Sequence, residues 1–158
     1  MKLTDILTDS RIDLNLQAAD KDQVIERLVD LVVADAGLKD REPLLKAVRA
    51  REQLMSTGVG NGVAIPHGKT NAVDRLIAAF GRCAAPVEYE ALDGQPINLV
   101  FLLVGPEEAA GPHIKALSRI SRLLSYEDFR VRLANARTAG EVLEAIAEEE
   151  KQYFELKG

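Results

Sequence analysis

The run Asn98-Leu-Val-Phe-Leu-Leu-Val104 is apolar at every position after the asparagine. A strand without polar alternation is expected to be buried on both faces. In a chain of 158 residues the cover has to come from helices of the same domain, and the sequence offers several. Asp20 opens one: it is a good N-cap, Gln23 stands three residues on, and Val24, Ile25, Leu28, Val29, Leu31 and Val32 form a broad apolar stripe that ends at Gly37. A second runs from about Asp40 to Leu54, with Pro43 tolerated in its first turn and Leu44, Leu45 and Val48 facing inward. A third follows the central strand, with Pro112 near its start and Ile114, Leu117, Ile120 and Leu124 along one side.

Ser125-x-x-Asp128 and Thr138-x-x-Glu141 read as N-terminal boxes of two further helices. Leu76-Ile-Ala-Ala-Phe80 reads as a strand, Val87-Glu-Tyr89 as a weaker alternating one, and Asp93-Gly94 as a turn. Helices and strands in this mixed order predict an α/β fold: a single-domain sandwich with a mixed β-sheet flanked by helices on both faces. The domain is expected to fill residues 1–150. A charged tail follows at 151–158, with fraying from Glu148 onward. No repeat or linker divides the chain.

The hydrophobic fraction is 47%, but aromatics make up only 4% and tryptophan is absent, so the core has to be built from Leu, Val, Ile and Ala. A net charge of −5 argues against a nucleic-acid backbone as the principal partner, because that contact needs clustered Lys and Arg. Cys83 is the only cysteine, which excludes an internal disulfide and a multi-cysteine metal site. The opening MKLTDILTDS lacks the apolar core of a signal peptide, and no apolar run approaches membrane-spanning length. A soluble, cytoplasmic protein without membrane insertion is expected.

Chemistry concentrates in Glu52-Gln-Leu-Met-Ser-Thr-Gly-Val-Gly-Asn-Gly-Val-Ala-Ile-Pro-His-Gly68. Val63-Ala-Ile65 reads as a short buried strand that Pro66 ends, which puts His67 at the strand end. Glycines free successive N–H groups to face an anion, so Ser56, Thr57, Gly58, Gly60 and Gly62 are candidates for a phosphate-binding loop. Taken alone, His67 is also compatible with an ordinary exposed loop histidine. His113, the second of only two histidines, falls in the first turn of the third helix and shares a face with Leu117, Ile120 and Leu124. It suits either a core-edge histidine satisfied by a carbonyl or a donor to an anion at a helix start. Arg51 lies at the edge of the inward stripe of the second helix. It suits either a side chain snorkelling past its neighbours or a guanidinium neutralising phosphoryl oxygens. Glu52 reads as structural, within reach of Lys46 or Arg49.

Rival motifs fit less well. Gly62 to Gly68-Lys69-Thr70 is one residue too long for a nucleotide P-loop, is interrupted by Pro66-His67, and precedes no convincing helix. Gly58-Val-Gly60-Asn-Gly62 has the wrong spacing for a dinucleotide fingerprint. A metal site on His67 and His113 would need ligands that no tight His/Asp/Glu spacing supplies.

The string Ser56-Thr-Gly-Val-Gly-Asn-Gly-Val-Ala-Ile-Pro-His-Gly68 resembles the active-histidine signature of the type-2 (fructose/mannitol-type) enzyme IIA domains of the bacterial phosphoenolpyruvate-dependent phosphotransferase system. The likeness extends to Leu3-x-Asp-Ile-Leu7, to Gly94-Gln-Pro-Ile-Asn-Leu-Val-Phe-Leu-Leu-Val104, and to His113-x-x-x-Leu117. The resemblance implies a phosphotransferase that works without metal or cofactor. In it, His67 accepts a phosphoryl group from the phosphohistidine of the small carrier HPr, or a paralogue, and passes it on, with His113 and Arg51 supporting the group. It further implies a free-standing IIA with one of two fates. One is a nitrogen-type regulatory role toward protein targets, the favoured reading. The other is donation to a separate fructose/mannitol-type IIB in sugar uptake. A non-catalytic binding module on the same fold is the reading from another class.

Overall fold

The apolar run is the middle of strand β6 (Ile97–Gly105) in the computed structural model, which describes residues 1–155. Its side chains alternate between two separate cores. Val100, Leu102 and Val104 face one; Leu99, Phe101 and Leu103 face the other. This is the period of two expected of any strand, and every one of these residues is at most 2% exposed. Against the first face lie α1 (Lys21–Ala36) and α2 (Glu42–Leu54); against the second lie α3 (Ala110–Leu124), α4 (Glu127–Asn135) and α5 (Ala139–Glu150). Burial of a Leu- or Val-sized side chain contributes roughly 1.5–3 kcal/mol, and the few aromatics add to it: Phe80, Phe101 and Phe129 sit in the second core and Tyr89 in the first.

The remaining strands are β1 (Ile12–Leu16), β2 (Gly58–Gly60), β3 (Val63–Ala64), β4 (His67–Lys69) and β5 (Ile77–Val87). The sheet order is β1-β5-β6-β3-β2, with β4 also pairing β6. Strand β5 runs antiparallel to β6, whereas β1 is parallel to β5 and both β3 and β4 are parallel to β6. The expected mixed sheet with helices on both faces is therefore the observed architecture. No helix among the described residues is long and apolar enough to cross a membrane.

Local signals explain most helix boundaries. Asp20 accepts from the Gln23 backbone N–H at 2.9 Å, while the Gln23 side chain accepts from Ala19 N–H at 2.9 Å. Gly37 closes α1 with φ 66°. Thr138 caps α5 by accepting from Glu141 N–H at 3.1 Å. Ser125 behaves differently from the expectation. Its hydroxyl donates to the Arg122 carbonyl at 2.6 Å, so it finishes α3, and Tyr126 precedes α4 without a side-chain cap.

Four further expectations need correction. Val87-Glu-Tyr89 is not a separate strand: Val87 ends β5 after a register shift, and Tyr89 is a buried loop residue. On α3 the buried face is His113, Ala116, Ile120, Leu123 and Leu124, while Ile114 is exposed, a rotation of the stripe toward the sheet. The chain does not fray from Glu148. Helix α5 continues to Glu150, whose buried carboxylate accepts from Leu3 N–H at 3.0 and 2.9 Å and pairs with Arg119 at 3.2 Å. Beyond it Tyr153 stacks on Tyr126, with ring centroids 4.2 Å apart; residues 156–158 of the expected tail lie outside the described residues. The fourth correction concerns His67, which follows β3 as expected but also starts a strand of its own. Pro66 interrupts β3, but the chain resumes along the same side of β6, with His67 in register with Leu103 and Lys69 with Gly105.

Candidate active site at the edge of the sheet

Among the described residues, β4 has only β6 as a strand partner, so its other edge is open. Helix α2 closes on it from one layer. A Cβ on Gly68 would stand 2.8 Å from both the Ala47 carbonyl carbon and the Val48 nitrogen, so the backbone of β4 touches the backbone of α2 only because position 68 is glycine. Ala47 and Arg51 are four residues apart and share the helix face above β4. From the other layer, α3 brings His113. The result is a cleft of about 370 Å³ lined by Ala47, Arg51, His67, Gly68, Lys69, His113, Ile114 and Leu117.

The two imidazoles meet here, with ring centroids 5.9 Å apart and planes inclined at 56°. His67 is half-buried, and its Nδ1 lies 2.8 Å from the Ile65 carbonyl oxygen. A carbonyl only accepts, so Nδ1 carries the proton and Nε2 keeps its lone pair. His113 is 1% exposed, and neither of its ring nitrogens has a hydrogen-bond partner among the described residues. The carbonyl-satisfied alternative for His113 therefore does not hold. A buried polar group left this way calls for an explanation.

Burial pushes the His67 pKa below 6.5. The Ile65 hydrogen bond opposes that shift, the Arg51 and Lys69 charges add to it, and Glu52 works against it. His113 is pushed down to about 4 by burial, then by His67 and Lys69. At neutral pH the cleft thus holds two neutral imidazoles and two cations, and no carboxylate lines it. Such a site favours an anion and presents a nitrogen nucleophile. Among the described residues no three His, Cys, Asp or Glu converge in a way that would hold a metal ion.

Arg51 lies in the last turn of α2, its Nη1 donating to the Met55 carbonyl at 3.0 Å. It is half-buried at the rim of the cleft. The glycine-rich segment is elsewhere: none of Ser56, Thr57, Gly58, Gly60 and Gly62 lines the cleft. Three of its N–H groups have side-chain partners. Thr57 N–H donates to Glu52 at 2.8 Å, Gly58 N–H to the Ser56 hydroxyl at 3.1 Å, and Asn61 N–H to Asp93 at 3.2 Å. Asn61 and Gly62, with φ of 57° and 77°, form the turn between β2 and β3. These residues build the hairpin beside the site.

Glu52 is structural, as its position suggested, but with other partners than Lys46 or Arg49. Its buried carboxylate accepts from Thr57 N–H, from the Thr57 hydroxyl, from Tyr89 Oη at 3.2 Å and from Lys21 Nζ at 2.8 Å. Lys69 is the lining residue that sequence reasoning missed; its place two residues after His67 on a strand would have put it on the same face. A larger hollow of about 750 Å³ lies where α1 begins and α2 ends, but it contains neither imidazole.

Comparison with known proteins agrees with this geometry. Residues 5–149 match the family described as phosphoenolpyruvate-dependent sugar phosphotransferase system, EIIA 2. The chain is 40% identical over 151 residues to the PTS system fructose-specific EIIABC component of Bacillus subtilis, covering 96% of this chain and 24% of that protein. It is 37% identical over 147 residues to the nitrogen regulatory protein of Bradyrhizobium diazoefficiens, covering 93% and 95% respectively. The crystal structure of nitrogen regulatory protein IIA-Ntr from Neisseria meningitidis matches with a TM-score of 0.86 and 35% identity, over 91% of this chain and 98% of that one. The chain belongs to the type-2 EIIA family, the phosphoryl-carrying components of the phosphoenolpyruvate-dependent phosphotransferase system.

Proposed function

We propose that this protein is a cytoplasmic histidine phosphocarrier in which Nε2 of His67 accepts a phosphoryl group from the phosphohistidine of an HPr-like carrier. The observation that carries this reading is the 2.8 Å contact between Nδ1 and the Ile65 carbonyl, which leaves Nε2 as the one ring nitrogen able to attack. The N–P bond of the donor breaks as the bond to Nε2 forms, and the departing imidazole keeps the electron pair. Transfer of this kind needs mainly positioning and charge stabilisation. Arg51 offers a planar fork to two phosphoryl oxygens, and the unpartnered nitrogens of His113 offer a hydrogen bond. Two histidine phosphoramidates are alike in energy, so the step is reversible.

Incubation with phosphoenolpyruvate, enzyme I and HPr, followed by intact mass measurement at alkaline pH, should show the gain of one phosphoryl group. The gain should be absent from His67→Ala. His113→Ala should still be labelled, roughly ten- to hundredfold more slowly, for loss of one hydrogen bond to a charged group. Label on the His67→Ala protein, or on His113, would show the assignment to be wrong. A protein that takes no label at all would instead be the non-catalytic binding module.

The fate of the group is proposed to be regulatory, through phosphorylation-dependent contacts with target proteins. The near full-length likeness to nitrogen regulatory proteins supports this. Donation to a separate fructose/mannitol-type IIB is the second reading, favoured by the 40% identity to a fructose-specific component. Rapid transfer from the phosphorylated protein to purified IIB would select it.

A further inference from the structure

We propose that Lys69 is a third phosphoryl-holding residue of the cleft, an ammonium that compensates the charge of the group carried on His67 and so sets how far the equilibrium with the donor favours this protein. The proposal rests on the reading of His67 as acceptor. Four observations carry it. Lys69 follows His67 by two residues in β4 and so projects from the same face. It lines the cleft together with both histidines and Arg51. Its register partner in β6 is Gly105, where a Cβ would stand 2.5 Å from Leu76 Cδ2 and 3.5 Å from Nδ1 of His113. His113 thus lies beside the β6 residue with which Lys69 is in register.

The fourth observation is a missing counter-charge. Lys21, Arg11, Arg41, Arg49, Arg75, Arg119 and Arg132 each pair with a carboxylate. Lys69 has no such partner among the described residues, and the cleft has no carboxylate in its lining. Its charge falls on the imidazoles, pushing down both His67 and His113. A lysine on an open strand edge also deters pairing with another chain, but that role needs no cleft and no neighbouring imidazole.

The test compares wild type, Lys69→Gln and Lys69→Arg. The readout is the equilibrium distribution of label between HPr and this protein, because a change in docking alters rates but not that distribution. Lys69→Gln should still be labelled on His67, with the equilibrium shifted toward HPr by roughly tenfold, as expected for loss of a charge-assisted contact. Lys69→Arg should recover most of the shift. In the unphosphorylated Gln variant, NMR titration should find both His67 and His113 protonating at higher pH than in wild type. An equilibrium unchanged by Lys69→Gln, in a protein still labelled on His67, would overturn the role of Lys69 alone. Label that survives His67→Ala would overturn the acceptor assignment and this proposal with it.

Discussion

Replacing Glu52 should unfold the protein more readily than any exposed ion pair would suggest. The carboxylate is buried and accepts from four donors: Thr57 N–H, Thr57 Oγ1, Tyr89 Oη and Lys21 Nζ. Glu52→Ala strands a largely buried ammonium, a buried phenol and a buried N–H. Breaking a buried pair in this way costs about 3–5 kcal/mol, a fall in Tm on the order of 10 °C for a domain of this size. Glu52→Gln is not a conservative replacement. Its amide oxygen can replace Oε2 before Lys21 and Thr57 N–H, and its NH2 can replace Oε1 and donate to the Thr57 and Tyr89 hydroxyls, but the negative charge facing Lys21 is gone and about 2–3 kcal/mol should be lost. Burial raises the Glu52 pKa, but the contacts from Lys21 and Thr57 outweigh it and hold it below 4.5. The stability supplied by this group is therefore complete above pH 4.5 and disappears as the pH falls through its folded-state value. Urea titrations of wild type and Glu52→Gln should thus diverge fully at neutral pH and converge only below pH 4.5. A loss under about 1 kcal/mol for Glu52→Ala, the size of a surface pair, or a gap that persists in acid, would refute the reasoning.

Three other outcomes are expected. His113 titrates near 4 in the folded protein against 6.5 in a free side chain, so the unfolded chain binds the proton first and stability should fall by about 3 kcal/mol as pH drops through that window; His113→Leu should remove this part of the pH dependence in thermal melts. Gly68→Ala should lose about 1–3 kcal/mol through overpacking against α2 and slow labelling of His67 by moving Arg51, whereas normal labelling would show that the approach of helix and strand does not set the site. Arg51→Lys should leave Tm nearly unchanged and recover only part of the transfer rate, because an ammonium acts as a point charge; full recovery in stopped-flow transfer assays would count against the guanidinium.

Local chemistry was legible in the sequence and long-range pairing was not. The caps of α1 and α5 and the doubly buried β6 follow from a few adjacent residues each. Strand β4 is three residues long and exists because the second half of β6 offers an edge, so nothing near Pro66 announces it. The same gap misplaced the glycine segment. Glycines signal free N–H groups, but Glu52 and Asp93 accept from the neighbouring Thr57 and Asn61 N–H groups, Asp93 from more than thirty residues away. The convergence of His67 and His113 was expected from their rarity and placement and that of Arg51 from its place on the second helix, while Lys69 was hidden by the wrong strand boundary. With β4 starting at His67, its alternation would have been plain.

The Ile65 carbonyl does more than choose a tautomer. Having only lone pairs to share, it retains the Nδ1 proton whatever Nε2 carries. A substituent on Nε2 would then turn the ring into an imidazolium, because neither nitrogen keeps a free pair. Departure of that substituent would restore a neutral aromatic ring, so the ring becomes a better leaving group at the moment it is loaded. One backbone oxygen beside Pro66 would thereby make the same imidazole a competent nucleophile when empty and a reactive carrier when full.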